Sequence, residues 1–213
     1  MKTDELITAL SISVEPVNRR LVSRSVGIAL AVGTVVALGL VFVGLGVRAD
    51  VSTPRAVTFL VLKLAFALGS VGAASVYLTR LARPGGERRI SLGLAAIPFA
   101  AIMLLAAISL GQAPSAHWDR MVMGDEWLEC LLSIPIIAIV PFAVVIWAMR
   151  KAAPTDLVRA GAFSGLVAGG VSAIAYALHC TDDSLPFVAL WYGGTIVLCT
   201  VVGAVLGPRL LRW

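Results

Sequence analysis

Residues 179–187, HCTDDSLPF, interrupt two long apolar runs, and their reading decides the fold. A His-Cys pair, two aspartates and a proline stand between stretches that each have room for about 20 helical residues, enough to cross a hydrocarbon core about 30 Å thick. The stretch therefore reads as a gap between membrane-crossing helices. Working outward from it, six such runs separated by five gaps can be counted, and this is the fifth gap.

Composition points the same way. The 213-residue chain is 59% hydrophobic and 14% charged, with a mean hydropathy of +0.96, which excludes an ordinary soluble domain. The expected fold is all-α: a polytopic integral membrane protein with six transmembrane helices near residues 25–47, 56–79, 90–112, 128–149, 158–179 and 185–207. Residues 1–24 form an amphipathic N-terminal segment, residues 25–208 the bundle and residues 209–213 a short tail. The first run is too long for the apolar region of a cleaved signal peptide.

Charge sets the expected orientation. Thirteen of the 17 Lys and Arg residues fall in the N-terminal segment, the second and fourth gaps and the tail, whereas the odd gaps hold Arg48, Arg55 and Arg120. The positive-inside rule then puts both termini in the cytoplasm and the odd gaps, with His117, Cys130, His179 and Cys180, outside. The net charge of +5 is an orientation signal beside apolar runs, so no direct nucleic-acid contact is expected and the partner surface is membrane lipid.

Several features of the runs have local consequences. Thr3 can cap a helix with Asp4 and Glu5 in its first turn and with Leu6, Ile7 and Leu10 following; Leu6 and Leu10 share a face, and Pro16 breaks its phase. This segment reads either as an interfacial helix on lipid or as a partner-binding helix. Lys63 sits inside the second run, where an unpaired ammonium costs roughly 2.5 to 3.5 kcal/mol; it either snorkels or pairs structurally, or has a role in sensing or coupling. Pro135 and Pro141 are expected to kink the fourth run. Gly161, Gly165, Gly169 and Ala173 recur every four residues, which gives the fifth run a nearly bare face for close packing and makes it the central helix.

The chemistry-bearing residues collect in the odd gaps. Cys130 opens the fourth run and Cys180 closes the fifth on the same side, both expected at the outer interface and open to an impermeant thiol reagent. A disulfide is feasible if those helices are neighbours. His179, His117, Glu129, Asp182 and Asp183 surround the pair with further donors, and thiolate with imidazole suits a soft metal ion such as zinc, copper(I) or cadmium. Three readings stand side by side: a permanent structural disulfide, a redox- or metal-responsive pair, and inert thiols. Cys199, in mid-run, reads as an apolar filler. There is no CxxC, HExxH, GxSxG or phosphate-binding glycine loop, so the chain reads as no enzyme, with no obligatory cofactor beyond a possible soft metal ion as signal. A small inner-membrane transporter or a non-sensing membrane scaffold is the alternative class, to which Pro135, Pro141 and Lys63 would contribute.

The opening MKTDELITAL with its prolyl, double-arginine approach to the membrane, and the closing HCTDDSLPFVALWYG with GPRLLRW, resemble the NrsF-type anti-sigma factors, six-span inner-membrane proteins of proteobacteria. The resemblance covers the whole chain and implies a bacterial inner-membrane, multi-pass protein. It implies that the chain sequesters a sigma factor of the extracytoplasmic-function class and releases it under envelope stress such as heavy metal or oxidation. Cys130 and Cys180 match the family's cysteine pair and would be the sensor. As the largest cytoplasmic piece, the N-terminal segment, with Asp4, Glu5, Leu6, Ile7 and Leu10, would be the sigma-binding element.

Overall fold

The computed structural model describes residues 3, 5, 21–82, 93–152 and 154–212, and among them there is no strand. Six helices are long and apolar enough to cross a membrane: Ser23–Leu45, Pro54–Leu81, Gly93–Gln112, a helical stretch within Ser115–Arg150, Leu157–Tyr176 and Leu185–Leu210. They are called here the first to sixth long helices. Large aliphatic side chains face outward along them, including Val35, Val43, Leu104, Ile136, Ile139 and Val205. An apolar surface of that extent is unsuited to water and suited to lipid.

Local chemistry explains the helix ends. Thr53 caps the second long helix by accepting a bond from the Ala56 N–H, at 3.2 Å, with Pro54 in the first turn. Asp156 caps the fifth in the same way through the Arg159 N–H, at 2.9 Å. The first ends in a π-turn, Val41–Leu45, followed by Gly46 at φ +81°, a left-handed conformation that favours glycine. In the fourth, Trp127–Arg150 runs on through Pro135 and Pro141 as one helix. Gly33 of the first long helix leaves room for the Pro141 ring, and Gly69 of the second faces the Pro98 ring.

The fifth long helix is the axis of the fold. It packs against the first, second, fourth and sixth, and it is the most buried of the six, while the third is the least. Its glycine ladder meets a second one. A methyl group on Gly161 would run into the Gly203 carbonyl, and one on Gly165 into the Cys199 carbonyl. With Gly203 and Gly207 opposite, the fifth and sixth helices touch backbone to backbone, as the four-residue spacing implied. Stacking of Tyr77 on Phe163, with centroids 4.7 Å apart, fastens the second helix to the fifth.

Candidate functional site

The three odd gaps converge at one end of the bundle. The Arg48 N–H donates to the Leu178 carbonyl at 3.0 Å, tying the first gap to the fifth. The third gap forms a short helix, Trp118–Met123, and then turns at Gly124, φ +60°. There the Asp182 carboxylate and Phe187 press so close that any Cβ would collide with them. Asp182 accepts from the N–H groups of Asp125 and Glu126, the latter at 2.8 Å. Glu126 returns the pairing by accepting from the Thr181 N–H at 3.1 Å and the Thr181 hydroxyl at 2.8 Å. Ser184 and Trp191 donate to the carbonyls of Met121 and Val122. Each carboxylate thus satisfies backbone donors of the other gap, and the two gaps form one cap over the helix ends.

Beneath this cap is a buried ion network. Lys63 is wholly buried, and its ammonium donates to the Cys180 carbonyl at 3.0 Å and lies 3.5 Å from the Cys180 sulfur. The Asp183 carboxylate is 3.6 Å away. Asp183 also accepts two bonds from the Arg48 guanidinium, each 2.9 Å, and Arg48 in turn pairs with Asp50 and donates to the Cys180 carbonyl. Hydrogen bonds to Asp50 and Asp183 push Arg48 further above its already high range, and the guanidinium holds Asp50 below the usual carboxylate range. Lys63 therefore does not snorkel; it is paired from above by the fifth gap.

Cys130, Cys180 and Cys199 are free thiols, and all three are buried. Cys130 and Cys180 belong to the same packed core cluster, at the contact of the fourth and fifth helices. Neither is exposed at an outer interface as expected: both are wholly buried in that core. Burial pushes the Cys180 thiol up, and the Lys63 ammonium opposes that shift. The hydroxyls of Tyr176 and Tyr192, both fully buried, have no hydrogen-bond partner among the described residues. The Tyr192 hydroxyl stands beside the Cys180 sulfur without forming a well-shaped bond to it.

The other expected donors divide. His179 points its Nδ1 at the Gly46 carbonyl, 3.1 Å away, and its Nε2 lies 4.0 Å from Glu129. His117 lines an open polar recess of about 670 Å³ together with Arg55, Arg120, Asp125 and Asp182. Asp183 is taken up by Arg48 and Lys63. Glu126, which sequence reading passed over, stands with Cys180 and Asp182 so that one donor atom of each lies within 4.8 Å of the others. Cys199 lines an apolar pocket among the fourth, fifth and sixth helices. Of the N-terminal residues, Glu5 is helical and exposed, while Asp4, Leu6, Ile7 and Leu10 lie outside the described residues.

Comparison with known proteins decides the family. Residues 10–213 match NrsF, described as "Negative regulator of sigma F". The chain belongs to the NrsF family. Two relatives extend this over full length. The probable anti-sigma-F factor NrsF of Azospira oryzae is 30% identical over 213 residues, covering all of both chains. The anti-sigma-F factor NrsF of Caulobacter vibrioides is 31% identical over 216 residues, again covering all of both. No solved structure matches this NrsF chain. Membership carries an anti-sigma role and a sigma-factor partner, and it gives the chain a regulatory rather than a catalytic place.

Proposed function

We propose that this NrsF-family chain is a bacterial inner-membrane anti-sigma factor that sequesters a sigma factor of the extracytoplasmic-function class. It releases that partner when heavy metal or oxidative stress reaches Cys130 and Cys180. The observation that carries the reading is the full-length match to two anti-sigma-F factors. Sensing is supported by the position of Cys180, held by Lys63 from the second long helix and covered by a cap drawn from two gaps. A change at that sulfur disturbs three elements at once. The fourth and fifth helices run from the cysteine end to the opposite end, where Arg150 donates to the Leu210 carbonyl and Gly207 abuts the Leu157 carbonyl. They are the elements through which a signal reaches the fourth gap.

Free thiols are the repressing state in this reading, and metal or oxidation triggers release. Deleting the gene should derepress a regulon, and a transcriptional reporter measures it directly. Ser at Cys130 or Cys180 should leave repression intact and remove the response to cadmium and to peroxide, while Ser at Cys199 should change nothing. A chain lacking both outer cysteines that still induces normally removes the sensor role and leaves the anti-sigma assignment. The sigma-binding element is assigned to Asp4, Glu5, Leu6, Ile7 and Leu10. Asp at both Leu6 and Leu10 puts charge into the apolar face, and copurification of the sigma factor should fail while membrane insertion is kept. Wild-type recovery of the partner would make that helix a lipid anchor only. Lys63, the residue a coupled transporter would use, is already occupied by Cys180 and Asp183.

A further inference from the structure

The fifth gap divides its charges unevenly. Asp183 takes both buried cations, Arg48 and Lys63, and Asp50 shares Arg48. Next door, Glu126 and Asp182 lie together with no basic side chain of the described residues within 4.0 Å, and only N–H and hydroxyl groups bind them. Two adjacent carboxylates without a counterion repel each other, and that repulsion is strengthened where the surroundings are partly buried. The Cys180 sulfur is the third corner of this group, within 4.8 Å of both carboxylates. A fourth polar group, the buried Tyr192 hydroxyl, which has no hydrogen-bond partner among the described residues, stands beside that sulfur. A buried hydroxyl with nothing to bind costs free energy that a ligand in the same space would recover.

The geometry points to a site for one thiophilic divalent cation, of the zinc or cadmium class, held by Glu126, Cys180 and Asp182. This assignment rests on the sensing role proposed for Cys180 and names its ligand set. Charge fits, because a divalent ion neutralises two carboxylates that no basic side chain of the described residues approaches within 4.0 Å. Chemistry fits as well: one sulfur with carboxylate oxygens suits zinc or cadmium, whereas calcium and magnesium take oxygen alone. The backbone N–H groups of Asp125, Glu126 and Thr181 already orient the carboxylates, as outer partners do around metal ligands. The ion displaces the Cys180 thiol proton, which leaves to solvent through the recess lined by Thr181 and Asp182. Lys63 keeps its bond to the Cys180 carbonyl and its pairing with Asp183 while the sulfur turns to the metal.

Cadmium chloride titrated into the purified, reduced, full-length protein in lipid nanodiscs tests this. The sulfur-to-cadmium charge-transfer band in the ultraviolet should saturate at one ion per chain. Cys180→Ser should abolish the band. Glu126→Gln and Asp182→Asn keep an acceptor oxygen for the neighbouring donors, and each should weaken binding about tenfold or more. Cys199→Ser should bind as the parent does. The site is overturned if the band survives in Cys180→Ser, if Cys130→Ser is as damaging as Cys180→Ser, or if equimolar calcium displaces the cadmium. A cellular reporter separates this claim from the sensing role. Binding as described with unchanged cadmium induction in Cys180→Ser sinks the sensor and keeps the site. Absence of binding with cysteine-dependent induction by peroxide sinks the site and keeps the sensor.

Discussion

Lys63 keeps its charge inside the bundle because the fifth gap brings it a carbonyl, a sulfur and a carboxylate. Removing one member of such a network is worse than removing the charge that needs it. Asp183→Ala leaves Lys63 with no carboxylate and Arg48 with Asp50 alone, and should destabilise the protein by about 3–5 kcal/mol. Lys63→Met removes the desolvated charge and leaves Asp183 paired with Arg48, so it should cost clearly less. Thermal unfolding in detergent compares the two, and equal losses would contradict the network. The thiols make a second residue-scale expectation: with Cys130 and Cys180 wholly buried, an impermeant maleimide should label the native protein slowly and the detergent-denatured protein fully. Fast native labelling would mean that the cap opens readily. The chemistry-bearing residue types were legible in the sequence, since His179, Cys180 and Asp182 stand together in one polar gap. Their partners were not: Lys63 lies 117 residues from Cys180 and Arg48 lies 135 from Asp183, and no local periodicity encodes a contact at that separation. Glu126 was missed because nothing in its sequence neighbourhood marks it as a donor, and only the folded gap brings it to Cys180.

At the scale of elements, hydropathy located the six helices, with Trp127–Arg150 and Leu157–Tyr176 each starting one residue before the expected position, and the four-residue glycine spacing identified the central one. The close approach of the fifth and sixth helices carries a sharp consequence. Gly165→Leu must push the Cys199 carbonyl aside, whereas Gly39→Leu meets nothing within 4 Å. The first should abolish a monodisperse peak in size-exclusion chromatography and the second should leave it unchanged. Comparable behaviour of the two variants would show that the glycine faces are not the contact. Two features had no signature in the sequence. The π-turns Val41–Leu45 and Val188–Tyr192 arise where helix ends must meet the cap, a demand set by tertiary packing and not by propensity. The second is the room for the Pro141 ring, which Gly33 of the first helix provides while Trp127–Arg150 runs on as one helix.

For the whole molecule, the decisive quantity is which face the cap occupies. The first, third and fifth gaps are joined through Arg48, Asp182 and Glu126, so they lie on one side together whatever the orientation. Arg80, Arg150, Arg159 and Arg209 are carried by the opposite helix ends. The positive-inside rule predicts that those ends face the cytoplasm, which would put the cap outside. Compartment then determines chemistry. Outside an inner membrane, thiols meet oxidants and incoming metal before the cell's reducing pool can act, which is what the sensing proposal requires of Cys130 and Cys180. On the cytoplasmic side the same thiols would stay reduced, and zinc would be buffered away from them. Reporter fusions after Arg89 and after Leu210 should therefore read as cytoplasmic, and fusions after Gln112 and after Asp183 as external. The reverse pattern would leave the six-helix fold untouched while removing the envelope from the sensing proposal, because Cys130, Cys180 and Glu126 would then face a compartment that holds no envelope signal.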